Sequence, residues 1–330
     1  MFFATKDWNP DGLHCYVTGG STGLGLELAK LLVQKGAHVS IVARNQERLD
    51  KALAQLETLR TSPGQQLHAY SFSLYTAADS AAALTAACAP HGGDSPDAVF
   101  ACAGSARPMY FVEMTEEDMR RGMDDAYWVQ AWTIFAAVKQ MVKQNRKGRL
   151  ALVSSVVGYM SFLGWGSYSP GETRSPSPSS CSTRESPCTY ISPGSMLTPG
   201  FEEEQKDKPQ ISKEIDNAEN AITPDVAARA FLRGGAVSSL IFIFDILTRN
   251  TLAPFFQAYK RAKRTSPPIS SATSSARPRG VTPKHNWVKD AVWDMIAYVG
   301  SFPSSFSVIS SSASKAKSEF VFESATSPMA

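Results

Sequence analysis

From Cys15 onward the chain alternates short, wholly apolar runs with longer stretches whose apolar residues recur every three or four positions. Cys15, Tyr16 and Val17 lead into Thr18 and two glycines, the pattern of a buried strand that ends in a tight turn. Leu24, Leu28, Leu31 and Leu32 then share one face, which predicts a helix over residues 24–35 that stops at Gly36. The same alternation predicts strands at 39–43, 67–74, 98–103 and 149–154. Helices are predicted at 46–59, with Leu49, Leu53 and Leu56 facing in, and at 77–89. Thr115, followed by Glu116 and Glu117, is an N-cap with acidic residues at the positive end of a helix, and predicts a long helix to about Gln144. Continuous apolar strands separated by helices need cover on both faces. The expected fold class is therefore α/β, a Rossmann-like doubly wound parallel sheet.

The pattern breaks at 170–193, where half of the residues are Ser or Pro and no apolar period survives. Proline removes backbone donors and serine competes for the backbone, so this irregular insert is expected to form no buried helix. Order is expected again at 221–233, with Thr223 as N-cap, Pro224 at the first helical position and Asp225 beside it. Residues 265–283 are rich in Ser and Pro once more, and 301–330 read as a disordered tail. The expected organisation is a domain over 1–230 with an aberrant segment at 170–193, a C-terminal membrane-associated region over 231–300, and the tail. Residues 235–247 and 291–302 are apolar but shorter than the roughly 20 residues that span a bilayer. They read either as core or interface helices or as membrane-surface segments. Lys260, Arg261, Lys263, Arg264, Lys284 and Lys289, together with Trp287 and Trp293, give the membrane reading its headgroup contacts.

Composition narrows the function classes. Of 330 residues, 43% are hydrophobic and 19% charged, enough for a sizeable core. A net charge of +3 is too close to balance for a nucleic-acid partner. No pair among the five cysteines has metal-site spacing, so neither a disulfide framework nor a metal is expected. The first ten residues carry Lys6 and Asp7 and no apolar stretch of the kind a signal peptide needs.

The glycine-rich turn carries the first chemistry. Gly19, Gly23 and Gly25 stand between a predicted strand and a predicted helix, with Ser21 and Thr22 among them. Gly19 permits the sharp turn, Gly23 lets a pyrophosphate approach the backbone, and Gly25 lets the helix pack closely. The open N–H groups of the helix start favour phosphate, so these five residues are the expected cofactor-binding set. A ribose of NAD asks for an acidic residue after the second strand, whereas this chain offers Arg44 and, one turn later, Arg48. Two guanidinium groups suit a 2′-phosphate, which makes NADPH the expected cofactor.

The T-G-x-x-x-G-x-G spacing, Cys102-Ala-Gly104 after the fourth strand and the Tyr of Ser167-Tyr168-Ser169 resemble the short-chain dehydrogenase/reductase family. The strings TGGSTGLG, VARNQERL, FACAGSARPMYFVEM and PGSMLTPGFEEE are similar to its fungal 3-ketodihydrosphingosine reductase branch. The likeness covers residues 13–169 and 193–230, is fragmentary near 280–300, and stops between. It implies reduction of a long-chain keto-sphingoid lipid, 3-ketosphinganine to sphinganine, with NADPH. It also implies a place on the cytosolic face of the endoplasmic reticulum membrane. By the same resemblance Tyr168 is the acid that protonates the carbonyl and also touches the cofactor. Ser154 or Ser155, 14 and 13 residues earlier, polarises that carbonyl.

The chain departs from the family at three places. Glu172 stands where the family has the lysine of Y-x-x-x-K, Ala126 where it has an asparagine, and Ser73 where an acidic residue meets the adenine. A carboxylate beside a tyrosine raises its pKa, which opposes the proton donation the family uses. Likeness that halts inside a motif and resumes near Pro193 is the trace expected of a shifted reading frame or a splicing error. Two further readings therefore stand beside the sphingolipid reductase: a catalytically impaired dinucleotide-binding protein, and a reductase of another lipid ketone. A homo-oligomer is compatible with all three.

Overall fold

The computed structural model describes residues 8–158, 163–173, 188–210, 212–214 and 221–232. The apolar segments 235–247 and 291–302 and the serine-rich tail lie outside the described residues. Six strands, β1 (His14–Thr18), β2 (His38–Ala43), β3 (Leu67–Ser71), β4 (Ala98–Ala101), β5 (Arg149–Val153) and β6 (Cys188–Ile191), form one sheet. Its order is β3-β2-β1-β4-β5-β6 and every neighbouring pair is parallel. The chain reverses its direction of travel across the sheet between β1 and β4, and in such sheets a ligand crevice opens at the strand ends there.

Each strand side chain alternates between two cores. Cys15, Val17, Ala98 and Phe100 point to a cluster closed by α1 (Gly23–Gln34), α2 (Gln46–Glu57) and the last described helix, Pro224–Leu232. Tyr16, Val99 and Ala101 point to the opposite cluster, closed by α3 (Ala77–Cys88) and α5 (Val129–Lys143). With cover on both faces β1 and β4 are buried throughout, which is why their sequences read as runs instead of alternations. Phe231 fixes the last helix to the sheet by an edge contact to Phe100, ring centroids 5.8 Å apart.

Three expectations are corrected. The long helix after Thr115 is broken: α4 (Glu116–Met123), begun by a capping box between Thr115 and Asp118, passes through a π-helical turn (Asp124–Trp128) before α5. The wider turn carries one residue more than the 3.6-residue period, which a propensity reading does not see. The Ser/Pro-rich insert is not wholly irregular. One helical turn, α6 (Ser169–Thr173), follows Tyr168, and β6 lies inside the segment, paired in register from Leu150 with Cys188 to Val153 with Ile191. The strand succeeds because β5 supplies its ladder and because Cys188 and Ile191 are buried, tertiary terms that a four-residue window cannot show. Cys188 is disulfide-bonded, where no such bond was expected; a single bond leaves no spacing pattern to read.

At the sheet edge opposite the crevice four histidines converge. His14 starts β1, His38 starts β2, His68 lies in β3, and His91 ends a 3-10 turn. His14 stacks on His91 with ring centroids 3.7 Å apart, and its Nε2 shares a hydrogen bond of 2.9 Å with Ser40 Oγ. Burial, then the neighbouring His91, His38 and His68 and the Arg146 guanidinium, lower the His14 pKa from 6.5 to about 3. The Asp97 carboxylate, which accepts from the His14 backbone N–H and from Arg146, is the acidic group beside them. A depressed folded-state pKa contributes stability that is full above 6.5 and is lost as pH falls toward 3. Denaturant titrations should show unfolding free energy falling by about 1.4 kcal/mol per pH unit as pH drops below about 6, with a shallower slope in His14→Asn. Equal slopes in the two proteins would remove His14 as the cause.

Candidate active site

A cleft of about 540 Å³ opens at the carboxyl ends of β1, β4 and β5. Its floor is the turn from β1 to α1. Gly19 has φ +67 and lies so close to the Cys102–Ala103 backbone that a Cβ would come within 2.8 Å of Cys102 O. Gly25 abuts the Gly19 carbonyl, and a Cβ there has no room. Thr22 caps α1 with extended backbone and no side-chain hydrogen bond, and no acidic residue follows in the first turn. The start of the helix therefore keeps its donors and its positive end for an anion. Ser21, Thr22 and Gly23 line the cleft directly above. A dinucleotide pyrophosphate fits this cradle, whose uncapped helix start leaves backbone donors open to an anion.

Arg44 and Arg48 line one end of the cleft, both exposed. Arg44 Nη1 donates to Tyr75 Oη at 2.6 Å and its guanidinium lies 5.2 Å from the centre of that ring. Tyr75 in turn donates to Asp125 Oδ1, and Arg121 stands 3.5 Å from the other oxygen of that carboxylate. Burial, then the bond to Asp125, push the Tyr75 phenol up to about 12, so it stays protonated. Sequence reasoning missed Tyr75 and Asp125. Tyr75 follows β3 in an irregular loop, and Asp125 sits in the π-turn that the periodicity hid. Ser73, the position of the expected adenine contact, is exposed, whereas Phe72, Leu74 and Tyr75 around it line the cleft.

The opposite end gathers Ser154, Ser155, Tyr168 and Glu172. Ser154 and Ser155 follow β5, Tyr168 precedes α6, and α6 carries Glu172 one turn on. The Glu172 carboxylate, 4% exposed, accepts from the Tyr168 hydroxyl, the Ser154 hydroxyl and the Ser155 backbone. Its Oε2 is buried with no hydrogen-bond partner, and no cation among the described residues pairs with it. Burial pushes its pKa up to about 7 against the pull of those hydrogen bonds. Burial, then Glu172, and at longer range Glu204 and Asp125, hold the Tyr168 phenol well above its ordinary value. Ser155 accepts from the Val157 N–H at 3.4 Å, which leaves its own proton uncommitted to Glu172. Ala126 is fully buried against α6; a Cβ on Gly171 would meet the Ala126 Cβ at 2.7 Å.

Lys208 is a further residue the sequence did not single out. Its side chain is fully buried, paired with Glu204, and lies 4.7 Å above the Trp165 ring, whose other neighbour is Tyr168 at 5.5 Å. A lysine after an exposed acidic helix (Pro199–Asp207) looks like ordinary surface in a linear reading. Among the described residues no cluster could hold a metal ion, and no helix is long and apolar enough to cross a membrane.

A parallel six-stranded sheet with a glycine cradle at its switch point and a Ser–Tyr pair at the next strand end defines an oxidoreductase site. Residues 14–171 match the short chain dehydrogenase family, and the chain belongs to that family. The match ends one residue before Glu172. The chain is similar to a 3-ketodihydrosphingosine reductase of Cryptococcus neoformans, 35% identical over 303 residues that cover 90% of this chain and 83% of the relative. A 3-ketodihydrosphingosine reductase of Aspergillus fumigatus is 30% identical over 262 residues, 70% of this chain and 71% of the relative. Among solved structures, a short-chain type dehydrogenase/reductase from Mycobacterium ulcerans superposes with a TM-score of 0.60 at 22% identity. It covers 70% of this chain and 86% of its own. Levodione reductase gives the same TM-score at 19% identity, over 69% of this chain and 93% of its own. At these identities the two structures speak for the fold.

Proposed function

We propose that this protein reduces a long-chain keto-sphingoid lipid, 3-ketosphinganine, to sphinganine with NADPH. The observation that carries the reading is the likeness to 3-ketodihydrosphingosine reductases over 90% of the chain. The cleft agrees with it by bringing the glycine cradle, Arg44 and the Ser–Tyr pair to one crevice. Bound in the cradle, the dinucleotide supplies the hydride. The chain's own residues do the rest. Gly19, Ser21, Thr22, Gly23 and Gly25 receive the pyrophosphate, while Arg44 and Arg48 face a 2′-phosphate, with Arg44 braced by Tyr75. Ser155, whose proton is uncommitted, polarises the ketone oxygen, and Tyr168 protonates it. Ser154 donates a hydrogen bond to Glu172 and so holds that carboxyl in place. A substrate of this class resides in a bilayer, so the working enzyme belongs at a membrane surface.

Incubation of the full chain with 3-ketosphinganine and each reduced cofactor tests the reading, with sphinganine measured directly. Sphinganine formed faster with NADPH than with NADH supports it, and cofactor binding without product sinks it. Arg44→Ala should weaken NADPH binding by roughly tenfold or more, the order expected for one charge-assisted contact to phosphate, and leave NADH nearly unchanged. Equal losses for both cofactors would make Arg44 a structural brace for Tyr75.

A further inference from the structure

The carboxyl beside the catalytic tyrosine has two arrangements open to it, and they have opposite effects. When ionised, Glu172 only accepts: it receives hydrogen bonds from the Tyr168 and Ser154 hydroxyls and the Ser155 N–H. The phenol proton then points away from any ketone, and the adjacent negative charge opposes formation of a phenolate. When neutral, the same carboxyl owns a proton and donates. A hydrogen bond given to Tyr168 Oη frees the phenol proton and stabilises the phenolate that its departure leaves. The surroundings favour the neutral form. Glu172 is 4% exposed, and its Oε2 is buried with no hydrogen-bond partner among the described residues.

Among the described residues, charges on the packed elements supply no compensation. On the π-turn Asp125 is paired with Arg121, and beyond Trp165 Glu204 is paired with Lys208. On α4 Glu116 and Arg120 pair with each other in solvent, and Asp118 bonds to Thr115 and faces Arg107. Among the described residues the ionisable group in contact with the carboxyl is Tyr168 itself.

We propose that Glu172 is a positioning residue that works in its neutral form, turning its hydrogen bond toward Tyr168 so that the phenol proton is free for the ketone, and blocks that proton when ionised. The proposal rests on Tyr168 being the proton donor in the reduction described above. In that reaction the ketone carbon takes a hydride, with its electron pair, from the reduced nicotinamide dinucleotide. The carbon–oxygen π pair moves to oxygen, the Tyr168 O–H bond breaks to protonate it, and water returns a proton to the phenolate as product leaves. Burial places the change between the two arrangements at about pH 7.

Two measurements on the full chain test this. In the apoprotein, the ultraviolet titration of Tyr168, read as the difference from Tyr168→Phe, should move at least one pH unit lower in Glu172→Gln. That amide is always neutral and still donates. An unmoved titration overturns the proposal. With 3-ketosphinganine and NADPH, kcat of the native chain should fall about tenfold per pH unit above about 7, while Glu172→Gln stays flat and is about tenfold faster than native at pH 8. Parallel profiles overturn it, as does a native kcat that rises with pH through 7, which decides the matter even if the amide variant fails to fold. A lowered Tyr168 titration with no turnover in either protein supports the switch and sinks the substrate assignment instead.

Discussion

Tyr168→Phe is expected to lower kcat for ketone reduction by roughly 10²–10⁴-fold, the range that a positioned acid contributes. The phenyl ring keeps the contact to Trp165, 5.5 Å between centroids, so the fold around α6 should survive the change. What disappears is the phenol hydroxyl that bonds Glu172 and faces the cleft as the proton donor. Dinucleotide binding, carried by the glycine cradle and Arg44 at the other end of the crevice, should change less than threefold or so. Single-turnover kinetics beside a fluorescence titration of the cofactor would check both halves. A variant that retains most of its kcat would transfer the acid's role away from Tyr168.

Glu172→Lys should have the second largest effect, in the opposite direction: a gain of the order of a hundredfold in kcat at pH 8. The exchange replaces a carboxylate that raises the Tyr168 pKa by a cation that lowers it, at a position in hydrogen-bond contact with the phenol. A Ser/Pro-rich composition by itself offers no helix with which to aim an ammonium group. The structure removes that objection for the first turn, since α6 already directs residue 172 at Tyr168. Desolvation of the new ammonium opposes the gain, and Ser154 and the backbone around Ser155 offer it acceptors. The pH profile should also invert, with activity kept above pH 7. A folded variant with no gain would place the defect beyond Thr173, in the stretch where the family likeness is interrupted.

Residues 14–158 show how far a pattern carries. Buried parallel strands must be apolar on both faces and their helices on one, so the order of elements and the glycine turn were legible without coordinates. The exceptions share a cause. The π-turn at Asp124–Trp128 and the strand Cys188–Ile191 are short, and each is stabilised by partners far away in the chain. Local propensity over four or five residues is too weak to announce either. The same holds for Tyr75, which the fold brings to Arg44, and for Lys208, whose burial over the Trp165 ring no local pattern announces.

The sequence by itself determined the fold class, the cradle for a dinucleotide, and the residue types that depart from the family at 73, 126 and 172. The first two follow from spacing and side-chain chemistry, and the departures from the family resemblance. Only the tertiary structure decided what the departure at 172 means. Whether a glutamate near a tyrosine is a solvated charge or a buried, nearly neutral acid depends on desolvation. Desolvation is set by what packs around the carboxyl, where β5 and α6 bring Ser154, Ser155 and Tyr168 together.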